Sequence, residues 1–136
     1  MPNLTPGDAQ DILARYKAGW ERRDPDTLMD LFGDNAEFRA NPFEADLTGV
    51  NAIRAYWNDF AANSANTEFD AERTWAAGAT VLASFHAAYT RRTDGGRVRL
   101  RGFMSLELDD DKRVTRFRQW PVERLVGNDS TFKVEA

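Results

Sequence analysis

The sequence predicts an α+β domain in which three N-terminal helices pack on one curled antiparallel sheet. Three observations carry that prediction. Helical periodicity is concentrated early in the chain and strand alternation late, the order expected of α+β architecture. Arg97 to Val122 reads RVRLRGFMSLELDDDKRVTRFRQWPV, two alternating runs around an acidic turn, so that Val98, Leu100, Met104, Leu106 and Leu108 share a buried face. Arms of about ten residues are long for a small sheet, which must therefore curl and leave room for a pocket. The chain has 136 residues and no cysteine, so a single domain is held by its core, without disulfides, thiolate metal sites or a thiol nucleophile.

Taken in order, Thr5-Pro6-Gly7-Asp8 is a helix start, with Thr5 as N-cap, Pro6 in the first position and Asp8 in the positive first turn. Ala9, Ile12, Leu13, Tyr16 and Trp20 follow at spacings of three and four, an amphipathic stripe. Asp24-Pro25 repeats the device for a short helix containing Leu28, Met29, Leu31 and Phe32, which Gly33 is placed to end. Ala36 to Ala40 reads as a strand centred on Phe38. A loop through Asn41-Pro42-Phe43 follows, and Thr48-Gly49 caps a third helix that buries Val50, Ile53, Trp57 and Phe60 and breaks across Asn63 to Asn66. Thr67–Ala77, Thr80–Arg92, Val98–Leu108 and Val114–Val122 then form a meander, with turns at Ala77-Gly78, Asp94-Gly95-Gly96 and Asp109-Asp110-Asp111. The domain spans residues 1–126, and 127–136 form a polar, loose tail.

Apolar residues at 42% and charged residues at 29% describe an ordinary globular protein. A net charge of −4 argues against nucleic acid or an anionic membrane as partner. No apolar run reaches membrane-spanning length, and the first ten residues lack a signal pattern, which points to the cytoplasm. One histidine and no cysteine make a metal site an unfavoured reading, and no cofactor is implied.

At this level of detail the chain resembles the SnoaL-like branch of the nuclear transport factor 2-like superfamily. The match rests on Trp20 with Arg23-Asp24, Leu31-Phe32 before Asn35-Ala36-Glu37-Phe38, Asn41-Pro42-Phe43, Gly49, Ile53 and Tyr56-Trp57. The hairpin adds Arg101-Gly102, Leu106 to Leu108, Val114 and Arg116 to Trp120, so that the resemblance covers about residues 8 to 124. It implies a cone-shaped sheet wrapped around three helices, an interior pocket, and pairing of two copies through the convex face. Family members include ketosteroid isomerases, polyketide cyclases, epoxide hydrolases and dehydratases as well as binding domains, so function must be argued from the pocket residues. Many SnoaL-like chains end the last strand with two aromatics and an aspartate. Here Gln119-Trp120-Pro121-Val122 supplies no carboxylate, which counts against the cyclase mechanism.

His86 alone titrates near neutrality unperturbed, which makes it a candidate proton carrier. Alternation puts Val81, Ala83, Phe85, Ala87 and Tyr89 on the apolar face and His86 on the other, so a packing or interface role is favoured over catalysis. Arg73 alternates with Phe69 and Trp75, and Arg118 with Val114 and Trp120, so both arginines are expected on inward faces. There they would hold an anionic ligand group or, by the favoured reading, pair with Glu44 or Asp46. The aromatic set is the strongest pocket signal: Tyr16, Trp20, Phe38, Trp57, Phe60, Trp75, Phe85, Tyr89 and Trp120, together with Met104, all fall on expected inward faces. Core packing and pocket lining are equally weighted for the tryptophans. Tyr16, Tyr56 and Tyr89 add hydroxyls that orient a ligand or polarise a carbonyl. Arg91, Arg92, Arg97, Arg99 and Arg101 form a basic stripe that complements the acidic Glu68, Asp70 and Glu72, a pattern for cross-strand or cross-dimer ion pairs.

The leading expectation is therefore a homodimer that binds a small, largely apolar or aromatic molecule. One alternative is an isomerase, cyclase or dehydratase acting beside a carbonyl, in which a Tyr hydroxyl such as that of Tyr16 polarises the oxygen. His86 or an acid of the Glu44 to Asp46 loop would then move the proton. A second alternative is an interaction domain whose product is the dimer.

Overall fold

The structure, a computed structural model, describes residues 3–134. Helix α1 (Pro6–Arg22) begins where Thr5 Oγ1 accepts from the Asp8 amide (3.1 Å) and Asp8 Oδ2 accepts from the Thr5 amide (2.9 Å). It ends at Arg23, whose left-handed backbone (φ 51°) turns the chain into Asp24, the N-cap of α2 (Pro25–Met29). The two helices touch closely at Gly19: a Cβ there would sit 2.8 Å from Leu28 Cγ, so only glycine lets α2 pack against α1. Helix α2 is shorter than the apolar spacing implies. Leu31 lies beyond it, and Phe32 and Gly33 open strand β1 (Phe32–Arg39). Phe32 and Leu31 face the core from that strand and its approach.

Strand β2 (Leu47–Thr48) is a short partner of β1. Helix α3 (Val50–Asn63) has Gly49 as N-cap, without a side-chain hydrogen bond, and buries Ile53 and Trp57, while Val50 faces solvent. No loop separates α3 from β3 (Ser64–Ala77), and the residues expected to break the helix instead start the strand. Then follow β4 (Thr80–Arg91), β5 (Gly96–Leu108) and β6 (Val114–Asn128). The six strands lie in the order β2-β1-β6-β5-β4-β3 in one open sheet. The pairing is mixed, not wholly antiparallel, because β1 runs parallel to β6.

The helices cover one face of this sheet, called inner below. Tyr16, Phe38, Phe69, Phe85, Ile53 and Phe117 are packed there almost without exposure. Phe38 stacks on Phe117 with centroids 4.7 Å apart, and Tyr16 meets Phe69 edge to face at 4.9 Å. Two polar residues of α1 fasten the helix to β3: Lys17 Nζ donates to the Phe69 carbonyl (2.7 Å), and Glu21 accepts from the Phe69 amide (3.0 Å). Met104 and Phe38, expected to line a pocket, are solid core.

Of the sheet's register shifts, two decide where Arg73, Trp75, Arg118 and Trp120 point. Between Ala71↔Phe85 and Arg73↔Ser84 strand β3 carries one residue more than β4. Between Glu107↔Arg116 and Leu108↔Val114 strand β6 carries one more than β5. Each bulge reverses the faces of the residues that follow it. Phe69 is therefore inward while Arg73 and Trp75 are outward, and Val114 and Phe117 are inward while Arg118 and Trp120 are outward. The inward placement expected for Arg73, Trp75, Arg118 and Trp120 is corrected on this ground.

The residues after Gly127, expected to be loose, are tied down as far as they are described; 135 and 136 lie outside the described residues. Strand β6 extends to Asn128, and Asp129 accepts from Asn66 Nδ2 (2.7 Å), Thr90 Oγ1 (2.5 Å) and Thr131 Oγ1 (2.6 Å). Among the described residues no helix is long and apolar enough to cross a membrane.

Candidate functional site

Between α1, α3 and the inner face lies a cavity of about 470 Å³. Residues from each side converge on it because the helical stripes and the strand faces point to the same interior. Tyr16 and Trp20 come from α1, Tyr56, Trp57 and Phe60 from α3, Phe69 from β3, and Phe85, Ala87 and Tyr89 from β4. Trp20 and Phe60 lie 4.7 Å apart, and Tyr56 stands edge-on to Trp57 at 5.1 Å. Strand β6 adds Gln119, Pro121 and Glu123, which share the face of Phe117 beyond the bulge. The rim is acidic: Glu44 from the β1–β2 loop, Asp59 from α3 and Glu123 from β6.

Of the residues singled out from the sequence, Tyr16, Trp20, Tyr56, Trp57, Phe60 and Tyr89 line this cavity, as does Phe85, and Glu44 of the candidate acid loop lies at its rim. The others are elsewhere. His86 is on the outer face, with Nε2 3.5 Å from Asp70 and Nδ1 3.9 Å from Glu72, as its parity on β4 predicts. Arg73 lies over the Trp75 ring at 5.0 Å, and Trp75 meets Phe103 at 5.9 Å, all on that outer face. The side chain of Arg118, only 11% exposed, is held by Asp46 (3.2 Å) and Glu37 (3.5 Å), which is the ion-pair reading given for it. Neither arginine is available to an interior ligand.

Three phenols stand in the cavity. Burial pushes the Tyr16 hydroxyl well above its ordinary pKa, and Tyr56 adds to the effect. Tyr56 is raised by burial first, then by Glu44, Tyr89 and Glu123, and Tyr89 by burial and Glu123. All three therefore stay protonated at neutral pH as hydrogen-bond donors. Tyr16 is 1% exposed, yet its hydroxyl makes no hydrogen bond among the described residues. The buried Trp57 Nε1 also lacks a partner, its ring meeting Tyr16 and Phe38 edge to face. Leaving the buried Trp57 Nε1 unpaired costs about 1–3 kcal/mol, and the Tyr16 hydroxyl, free of protein partners, is open to a ligand group at the cavity.

The sequence reading passed over Phe117, Gln119, Glu123 and Asp59. The first three were hidden by the β6 bulge. Asp59 had a readable signal, since Tyr56, Asp59, Phe60 and Asn63 recur at three- and four-residue spacing on one helix side.

The fold recurs among solved structures. The chain is similar to SalBIII, an epoxide hydrolase/cyclase-like enzyme with a role in pyran ring formation in the polyether salinomycin (TM-score 0.78, 19% identity, 88% of this chain and 96% of that one). It is similar to an LEH-like epoxide hydrolase of Mycobacterium tuberculosis (0.72, 20%, 86% and 84%). A protein of Shewanella denitrificans assigned as a SnoaL-like polyketide cyclase aligns comparably (0.73, 15%, 84% and 90%). At these identities the likeness is one of fold. No curated protein sequence matches the chain. The profile of the SnoaL-like domain, however, matches residues 13–117, which contain both bulges, the aromatic wall residues and most of the sheet. The chain belongs to the SnoaL-like domain family.

Proposed function

We propose that the protein binds a small, largely apolar or aromatic molecule in the interior cavity. The observation that carries this reading is the cavity itself: about 470 Å³, walled by Trp20, Tyr56, Trp57, Phe60 and Tyr89, with the unpaired Tyr16 hydroxyl among its lining. Ligand pockets are typically about 300–1,000 Å³, mostly apolar, with a few polar groups that fix orientation. The test is a thermal-shift and tryptophan-fluorescence screen with small aromatic compounds against the wild type and Ala87→Leu. Leucine at this buried lining position fills the cavity from its floor. Compounds that raise the wild-type melting temperature but not that of the filled variant support the reading, because binding to the folded state stabilises by mass action. Equal shifts in both would sink it.

A carbonyl isomerase, cyclase or dehydratase has less support. His86 lies across the sheet from the cavity, and the carboxylates that remain near it are the exposed rim residues Glu44, Asp59 and Glu123. General acid–base catalysis needs a group within about 3 Å of the moving proton and an environment that tunes it.

A specific observation favours pairing of two copies through the outer face. Trp75, Phe103 and Trp120 are exposed there beside Val122, with Glu68, Asp70 and Glu72 on β3 and Arg99, Arg101 and Arg124 on β5 and β6. An apolar patch flanked by opposite charges is self-complementary under a two-fold axis. Sedimentation of the wild type as a dimer and of Trp120→Asp as a folded monomer would support this. A monomeric wild type at high concentration would end it.

A further inference from the structure

The cavity's charge narrows what it takes. We infer that its ligand is an organic cation, an alkyl- or arylammonium, in preference to a neutral or anionic molecule of the same shape. This rests on the cavity reading above and deepens it.

Glu44, Asp59 and Glu123 reach the rim from a loop, a helix and a strand, so the carboxylates surround the opening instead of clustering on one element. The one basic side chain in the lining, Arg91, is already engaged twice by Asp94, at 2.8 and 3.1 Å. The arginines that would have served an anion, Arg73 and Arg118, are turned to the outer face by the two bulges. Inside the rim the walls are indole, phenol and phenyl rings, whose faces carry negative quadrupole potential. An ammonium beneath a ring of carboxylates and over Trp20, Trp57 or Tyr56 gains from both, whereas a carboxylate or phosphate is repelled by both. The phenols report the same field: Glu44 and Glu123 both disfavour a negative charge on Tyr56. The Tyr16 hydroxyl, unpaired at the cavity, would serve a polar atom on the body of the same ligand.

Phenyltrimethylammonium and tert-butylbenzene have the same shape and differ by one charge, and 4-tert-butylbenzoate supplies the anion. Titrations followed by tryptophan fluorescence should give a dissociation constant for the cation about fivefold or more below that of the neutral isostere at low salt, a preference that shrinks as salt screens the rim. Glu44→Gln with Glu123→Gln, both exposed positions, should cut the salt-sensitive part of the preference by half or more, with Asp59 and the ring faces left to supply the rest, while tert-butylbenzene stays within about twofold of its wild-type value. Circular dichroism confirms that the variant is folded. If tert-butylbenzene binds as well as the cation, or the double variant keeps the whole preference, the inference is overturned while the cavity reading stands. If none of the three probes binds and small aromatic compounds of every charge fail alike, the cavity reading falls as well.

Discussion

The β4–β5 pair and the strands on either side of it, β3 and β6, accommodate curvature differently. From Thr80↔Glu107 to Thr90↔Arg97 that pair matches residue for residue. The strands on either side hold extra residues: β3 at Glu72 and again between Ala65 and Glu68, β6 at Thr115 and again between Leu125 and Asn128. Bending is thus taken up in the strands on either side of the β4–β5 pair, and the side chains beyond each bulge exchange faces. The exchange does two things at once. It keeps Arg73 and Arg118 out of the interior and sets Trp75 and Trp120 beside Phe103 outside.

The sharpest way to break this comparison is to truncate one residue from each side of β6. Phe117, fully buried, should cost about 3–5 kcal/mol as Phe117→Ala in chemical denaturation. Trp120, 44% exposed, should cost under about 1 kcal/mol in the monomer as Trp120→Ala. Similar costs would mean that the bulge is misplaced. Next in size is Gly102→Ala. A Cβ there would meet the Trp120 carbonyl and lie 2.9 Å from Pro121 Cα, so the β5–β6 pair must shift, at about 1–3 kcal/mol. A variant as stable as the wild type would show that the two strands can separate freely.

Smaller again is Arg118→Met, which removes a mostly covered guanidinium while Glu37 keeps Arg116 at 2.9 Å and Asp46 keeps Arg39 at 3.5 Å. A loss of about 1–2 kcal/mol is expected, against about 0.5 kcal/mol or less for the exposed Arg73→Met. Equal losses would contradict the different surroundings of the two arginines. The smallest effect belongs to Asp129→Asn and shows in its pH dependence. Hydrogen bonds from Thr131, Thr90 and Asn66 hold the Asp129 carboxyl well below the ordinary 3.8. A depressed carboxyl contributes stability above the unfolded-state value and loses it as pH falls. The variant should be less stable at neutral pH and converge on the wild type as pH drops below 3.8. Parallel melting curves across that range would refute the assignment.

Much of this molecule was legible before any coordinates. The Thr5 and Asp24 caps, the α1 stripe, the turns of the meander and the outward parity of His86 all follow from local chemistry that tertiary contacts leave intact. The faces of Arg73, Trp75, Arg118 and Trp120 were not legible, because a bulge inserts no residue type that period-two counting can detect. Nor was the parallel pairing of β1 with β6, which joins strands from opposite ends of the chain. Most of the cavity's aromatic residues were found by counting on unbroken elements, and its acidic rim became visible only once three separate segments had been brought together.

The Asp129 knot has a kinetic corollary. It ties β3, β4 and the end of β6 together beside Ser64 and Arg91, where Arg92 Nε also donates to the Ser64 carbonyl at 2.8 Å. These bonds cross-link three strands beside two residues of the cavity's lining. For the ligand proposed above, the expectation is an entrance fixed on that side, with capture set by diffusion and charge and no flap to open first.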